Sequence, residues 1–156
     1  MKYSSIEAEF QFRDHVVEEL NIKNTIIELL DEDQRSIKTI DIYRIETEEQ
    51  NGDHVGEIGL SLCFVCNKKD AVDKSITVEM KIMGQFSAKI TESMSLERFR
   101  EMLRANGTAT LYSIARSVIA TTTSQCLVFG QVRIPMINVL EFLGSYDEEG
   151  KEREEE

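Results

Sequence analysis

Ile76-Thr-Val-Glu-Met-Lys-Ile-Met-Gly-Gln-Phe-Ser-Ala-Lys-Ile90 carries the clearest period in the chain. Its even positions, from Ile76 through Val78, Met80, Ile82, Gly84, Phe86 and Ala88 to Ile90, are apolar or glycine. Its odd positions are polar except Met83. Successive side chains of a strand point to opposite faces, so the pattern predicts one long strand with a dry face and a wet face. Gly84, midway, predicts a bulge or bend.

Upstream the period recurs. Ile58, Leu60, Leu62 and Phe64 share a face within Gly56 to Cys66, and Ile6, Ala8, Phe10 and Phe12 alternate with polar residues near the N-terminus. A further strand is expected over Ile37 to Glu46, with its alternation blurred. Asn51-Gly52-Asp53 and the polar stretch Asn67 to Lys74 are turn signals. One-sided strands joined this way predict an antiparallel sheet with a covered dry face.

Downstream the period lengthens. Ser95 can cap a helix whose apolar face is Leu96, Phe99, Met102 and Leu103, with Asn106-Gly107 as its stop. A second helix is expected from Thr110 to Cys126, with the stripe Leu111, Ile114, Ala115, Val118, Ile119, Thr122 and Cys126. Pro135, the only proline, separates an extended Gln131 to Ile134 from the apolar Ile137 to Leu143. Strands followed by helices make an α+β fold: a four-stranded antiparallel sheet covered on one face by two helices.

Residues 1–146 read as a single domain, and 147–156 as an acidic, disordered tail holding seven acids and two bases. The net charge of −11, with no basic stripe, speaks against nucleic acid as a partner. No apolar run approaches the roughly 20 residues of a membrane span, and the first ten residues lack the layout of a secretory signal. Three cysteines are too few for a disulfide framework, which places the chain in a reducing, cytoplasmic setting.

Signs of catalysis are missing. His15 falls in a predicted strand and His54 beside a turn, both as ordinary surface or edge histidines without ligands at metal-binding spacing. Cys63-Phe-Val-Cys66 has the form of a zinc or redox pair, but positions three apart on a strand face opposite ways. No phosphate-binding glycine loop or nucleophile elbow occurs. The chain is read as a non-enzyme without metal or cofactor.

Two features exceed a minimal core. Ile26, Ile27, Leu29 and Leu30 crowd a connection between strands, where surface loops are normally polar. Met80, Met83, Met94 and Met102 add flexible apolar surface. Either the connection is an amphipathic turn packed on the sheet and the methionines fill gaps, or both serve a surface that accommodates a partner.

Leu111-Tyr-Ser-Ile-Ala-Arg-Ser-Val-Ile119, with Pro135 and Ile137-Asn-Val-Leu-Glu-Phe-Leu143, resembles the signature half of the SecB export-chaperone family. Tyr112, Ala115-Arg116 and Ile119 stand for the family's helix pattern, and Pro135, Asn138, Phe142 and Leu143 for its C-terminal one. Phe10-Gln-Phe12 and Glu19-Leu-Asn-Ile22 are similar to its first strand, so the likeness spans roughly residues 8 to 143. It implies a dimer of dimers that binds non-native polypeptides, including preproteins, in apolar grooves without ATP and passes many to the SecA motor. Glu19 falls where an acidic SecA contact is expected; Lys23 replaces a second acid, and Ser113 and Val118 stand where a proline and a cysteine are common. These departures fit a divergent SecB-like member.

The expected client groove uses Ile26, Ile27, Leu29 and Leu30, with Phe64 and Met83 as further candidates. Three functions are implied, in descending order: a general holdase feeding the Sec translocase, a dedicated adaptor or antitoxin-stabilising chaperone for one partner, and, last, a metal or redox enzyme built on the two close cysteines.

Overall fold

The alternating stretch forms a central strand. In the computed structural model, which describes residues 8–145 and 147, four strands come first: β1 (Gln11–Asn24), β2 (Gln34–Gln50), β3 (Asp53–Asn67) and β4 (Ser75–Lys89). Helices come next: α1 (Leu96–Met102), a π-helical turn (Leu103–Gly107), α2 (Thr108–Cys126) and a short α3 over 139–145. The strands form one antiparallel sheet in the order β1-β4-β3-β2, so the most regular sequences occupy the centre. The even positions of β3 and β4, Ile58 through Phe64 and Ile76 through Phe86, are buried beneath Phe99, Leu103, Leu111, Ala115 and Ile119 of the helices.

Both edge strands explain why their alternation is blurred. The pairing of β1 with β4 skips Arg13 and Glu18, and that of β2 with β3 skips Lys38 and Tyr43. Each skipped residue is a bulge that reverses the parity of the residues after it. Hence Val17 and Leu20 both pack on the core although three apart, as do Ile37 and Ile40. The strand expected around Ile6 to Phe12 therefore begins later, at Gln11, and runs on to Asn24; Ala8 precedes it, and Ile6 lies outside the described residues. Asn51 and Gly52, with φ of 52° and 82°, make the tight β2–β3 turn that their sequence announces.

Three expectations in the helical layer and the strand beneath it need correction. Ser95 caps α1 as expected, its hydroxyl accepting the Arg98 N–H at 3.2 Å, but Asn106-Gly107 does not stop the helix. Gly107 is right-handed helical (φ −62°, ψ −47°) and carries α1 into α2 through the π turn. Its missing side chain serves contact instead, since a Cβ there would stand 3.0 Å from Ile58 Cγ2. Gly84 likewise marks no bulge: β4 stays in register with β3, and a Cβ on Gly84 would meet Leu111 Cδ2 at 2.7 Å. Leu111, Ala115 and Ile119 of the expected α2 stripe are buried and Ile114 and Val118 pack against the core, but Thr108, Tyr112 and Thr123 are buried as well and Cys126 is exposed.

His54 is a further correction. It shares the parity of Ile58 and Leu60, so it points into the core, where its Nε2 lies 3.0 Å from the Met94 carbonyl and its ring stacks on Phe99 at 5.3 Å. His15 is exposed on β1. Of the acidic tail only Asp147 falls among the described residues.

Candidate polypeptide-binding surface

The connection after β1 is extended. Asn24 turns the chain by accepting the Ile26 N–H at 2.9 Å, and the Thr25 N–H donates to the Ser75 carbonyl at 2.9 Å. Thereafter residues 27–29 pair in parallel with the segment that leaves α2: Val128 N–H donates to Ile27 O at 2.8 Å, and Leu29 N–H to Phe129 O at 3.0 Å. The aliphatics are sorted without simple alternation. Ile26 and Leu29 turn into the core, Leu30 is half-buried, and Ile27 stands 72% exposed.

Buried Asp33 and the nearby Arg35 hold this connection rigid. The Asp33 carboxylate accepts N–H groups from Leu30 at 2.7 Å and Lys69 at 3.0 Å, and pairs with the Lys68 ammonium at 2.8 Å. Burial works against its charge, but Lys68 and the two N–H donors outweigh burial and hold the pKa down at about 2. Arg35 reaches back to the carbonyls of Leu30 at 2.9 Å, Asp31 at 3.2 Å and Asp33 at 2.9 Å. On the partner segment Thr123 does similar work, donating to Ile119 O at 2.7 Å and accepting the Val132 N–H at 2.8 Å. Gly130, with φ 91°, lies so close to Leu29 that a Cβ would be 2.4 Å from its carbonyl oxygen.

The two paired backbone segments form a ridge from which Ile27, Val128 (89% exposed) and Phe129 (64% exposed) project. Beside it opens a cleft of about 280 Å³ walled by Ile26, Ile27 and Ala71 and rimmed by Lys68 and Lys74. Exposed apolar side chains on a backbone this firmly held can bury apolar surface of a partner with little ordering cost of their own. Sequence reasoning missed Val128 and Phe129. The signal was there: three large apolar residues, Leu127-Val-Phe129, directly after the helix and ahead of Gly130. Met136, ahead of α3, and Leu140, within it, are exposed as well.

The six residues expected to form the groove do not converge. Phe64 is 1% exposed on the core face of β3, and Met83 is half-buried on the opposite face of the sheet, beside Val16 and Gly59 in register. Of the set, Ile27 is the one fully at the surface, with Leu30 partly so. Glu19 and Lys23 are both exposed on β1.

No group of three or more metal-ligating side chains forms among the described residues, and no described helix is long and apolar enough to cross a membrane. Cys63 is half-buried on one face and Cys66 buried on the other, and burial pushes the Cys66 thiol up to about 11.

An open antiparallel sheet with helices on one face and a bare apolar ridge at one end defines an α+β protein of the SecB-like fold. Among solved structures the chain is similar to the SecB-like chaperone of Mycobacterium tuberculosis in complex with a peptide from an antitoxin, with a TM-score of 0.57 at 10% identity over 83% of this chain and 91% of that one. It is also similar to a protein of unknown function from Streptococcus agalactiae, with a TM-score of 0.43 at 12% identity over 82% and 98% of the two chains. No family model and no curated sequence matches it.

Proposed function

We propose that this chain is an ATP-independent chaperone that binds extended, non-native polypeptide on the ridge of Ile27, Val128 and Phe129. The exposure of these three side chains on a hydrogen-bonded, ion-pair-braced scaffold carries the reading. Apolar contact gives affinity with little demand on client sequence, and the net charge of −11 favours basic clients and keeps complexes soluble. Ile26, Leu29 and Phe64 belong to the buried core, and Leu30 is half-buried.

The client range has two versions, supported about equally. One is a general holdase that keeps preproteins competent for the Sec translocase, with Glu19 touching SecA, in a cytoplasmic homotetramer. The other is a dedicated chaperone, favoured by the peptide-bound state of the mycobacterial neighbour. Light scattering of several unrelated denatured proteins, diluted with this chain and without ATP, separates them. Suppression across clients establishes the holdase; suppression of none leaves the dedicated reading, to be pursued through the protein that co-purifies. Loss of suppression in Ile27→Ser/Phe129→Ser, with the fold intact, assigns the ridge. Unchanged suppression in that variant removes it.

A further inference from the structure

We infer that the cleft between α2 and the segment 131–134 is a carboxylate site, in which Arg116 and Arg133 grip the acidic side chains of an extended peptide. The inference goes beyond the apolar ridge and does not rest on it.

Hydrogen bonds tie this segment to α2. The Thr123 hydroxyl accepts the Val132 N–H at 2.8 Å, Arg116 Nε donates to the Ile134 carbonyl at 2.9 Å, and the Tyr112 hydroxyl donates to the Pro135 carbonyl at 2.5 Å. Val132 and Ile134 are buried, and Arg133 between them is exposed. Segment and helix enclose a cleft of about 290 Å³ whose polar lining is Ser113, Arg116, Ser117, Gln131 and Arg133, with no acid among the described residues that line it.

Its cations are held in place but not neutralised. The Ile134 carbonyl braces Arg116 through Nε. The Gln131 amide, oriented with its nitrogen towards the Ala120 carbonyl, braces Arg133, its oxygen accepting from Nε at 2.8 Å and from Nη2 at 3.0 Å. Both braces are neutral oxygens, and among the described residues neither guanidinium forms an ion pair. Two cations in one cleft repel, and an anion between them relieves the repulsion while engaging the remaining N–H donors. The serines are unused as well. Thr123 and Ser124 of the same helix donate back to helix carbonyls at 2.7 and 2.6 Å, whereas the Ser113 and Ser117 hydroxyls make no hydrogen bond among the described residues.

Charge and size select the ligand. On a chain of net charge −11, an uncompensated pair of arginines reverses the local sign, and the planar guanidinium fork matches a carboxylate. The cleft has room for roughly ten waters at about 30 Å³ each, so a lone small anion would leave most of it wet. An extended peptide fills more of it and turns alternate side chains to one side, so two acids two residues apart can face both arginines.

The probe is a dye-labelled hexapeptide of alternating glutamate and glycine, with alternating glutamine and glycine as its control. Binding to the full chain is read by fluorescence anisotropy and by the NMR signals of the arginine Nε–H groups. The glutamate peptide is expected to bind and to shift the signals of Arg116 and Arg133, and the glutamine peptide to do neither. Arg133→Glu, at an exposed position, should weaken binding about tenfold or more, the worth of one charge-assisted hydrogen bond, and leave the thermal melt in place. Ile27→Ser/Phe129→Ser should bind the peptide as the parent does, so failure of the ridge and failure of this site are told apart. Equal binding of the two peptides, unchanged affinity in Arg133→Glu, or shifts confined to other arginines would overturn the assignment. So would displacement of the peptide by inorganic phosphate at equal concentration, the mark of a phosphate site, or self-association of the chain that Arg133→Glu abolishes.

Discussion

Tyr43 on one edge strand donates a hydrogen bond to Glu18 on the other, across the outer face of the sheet. Both residues are bulges, skipped by the pairing of their own strands, so each side chain is re-aimed along the sheet surface. The Tyr43 ring crosses β3 over Gly59 and β4 beneath the Lys81 ammonium, 5.4 Å from the ring centre. The two irregularities that blur the edge sequences thereby meet as one strap over all four strands.

Gly59 keeps the path of the strap clear. A Cβ there would lie 2.5 Å from Tyr43 Cζ, so Gly59→Ala must push the ring away. Half-exposed Tyr43 can swing aside, and the loss should be about 1 kcal/mol, the net worth of the hydrogen bond and contacts given up. Tyr43→Ala should cost a similar amount, and the double variant little more than either. Urea unfolding of the three variants checks this; additive losses would show that Gly59 and Tyr43 are not coupled.

Asp33 sets an acid limb on stability. Its folded pKa is lowered from 3.8 to about 2, so as pH falls the unfolded chain binds the proton first. Its contribution is complete above about pH 4 and is lost as pH falls towards the folded value near 2. Asp33→Asn should cost on the order of 2 kcal/mol at neutral pH, through the weakened bonds to Lys68, Leu30 and Lys69. That gap should close in urea melts near pH 2, and a gap independent of pH would exclude the charge as its source.

The legibility of the sequence tracks the pairing. β3 and β4 carry no bulge against each other, and their parity can be read residue by residue, His54 included once Ile58 and Leu60 are extended backwards. β1 cannot be read that way, because Glu18 breaks the parity between Val17 and Leu20. Gly84 and Gly107 mislead for one reason: close approach between layers is a tertiary fact, whereas local rules know glycine as a breaker. The ridge is half legible. Ile27 lies in the suspect connection, but its pairing with Val128 and Phe129 joins residues about a hundred positions apart, which no local pattern records.

The three thiols should differ in reactivity. Cys126 is exposed, Cys63 half-buried with its thiol pKa pushed up by burial and by Glu79, and Cys66 buried with its own at about 11. A disulfide reagent at neutral pH should titrate Cys126 fast, Cys63 slowly, and Cys66 on unfolding alone. Fast joint reaction of Cys63 and Cys66 would restore the redox reading of that pair.

Leu29 and Ile27 sit two residues apart and should separate stability from binding. Leu29 is 3% exposed, so Leu29→Ser removes a core side chain and buries a hydroxyl, a loss of about 3 kcal/mol or more. Ile27, at 72% exposed, should cost under about 0.5 kcal/mol on the same change. Gly130→Ala forms a third arm, because its Cβ would strike the Leu29 carbonyl and break the bond between Leu29 and Phe129, displacing the ridge through its backbone. Thermal melts should therefore rank Leu29→Ser below Gly130→Ala and leave Ile27→Ser near the parent. Client binding should fall in Ile27→Ser at temperatures where it remains fully folded. A stable Leu29→Ser that loses clients would move the binding surface to the inner side of the connection.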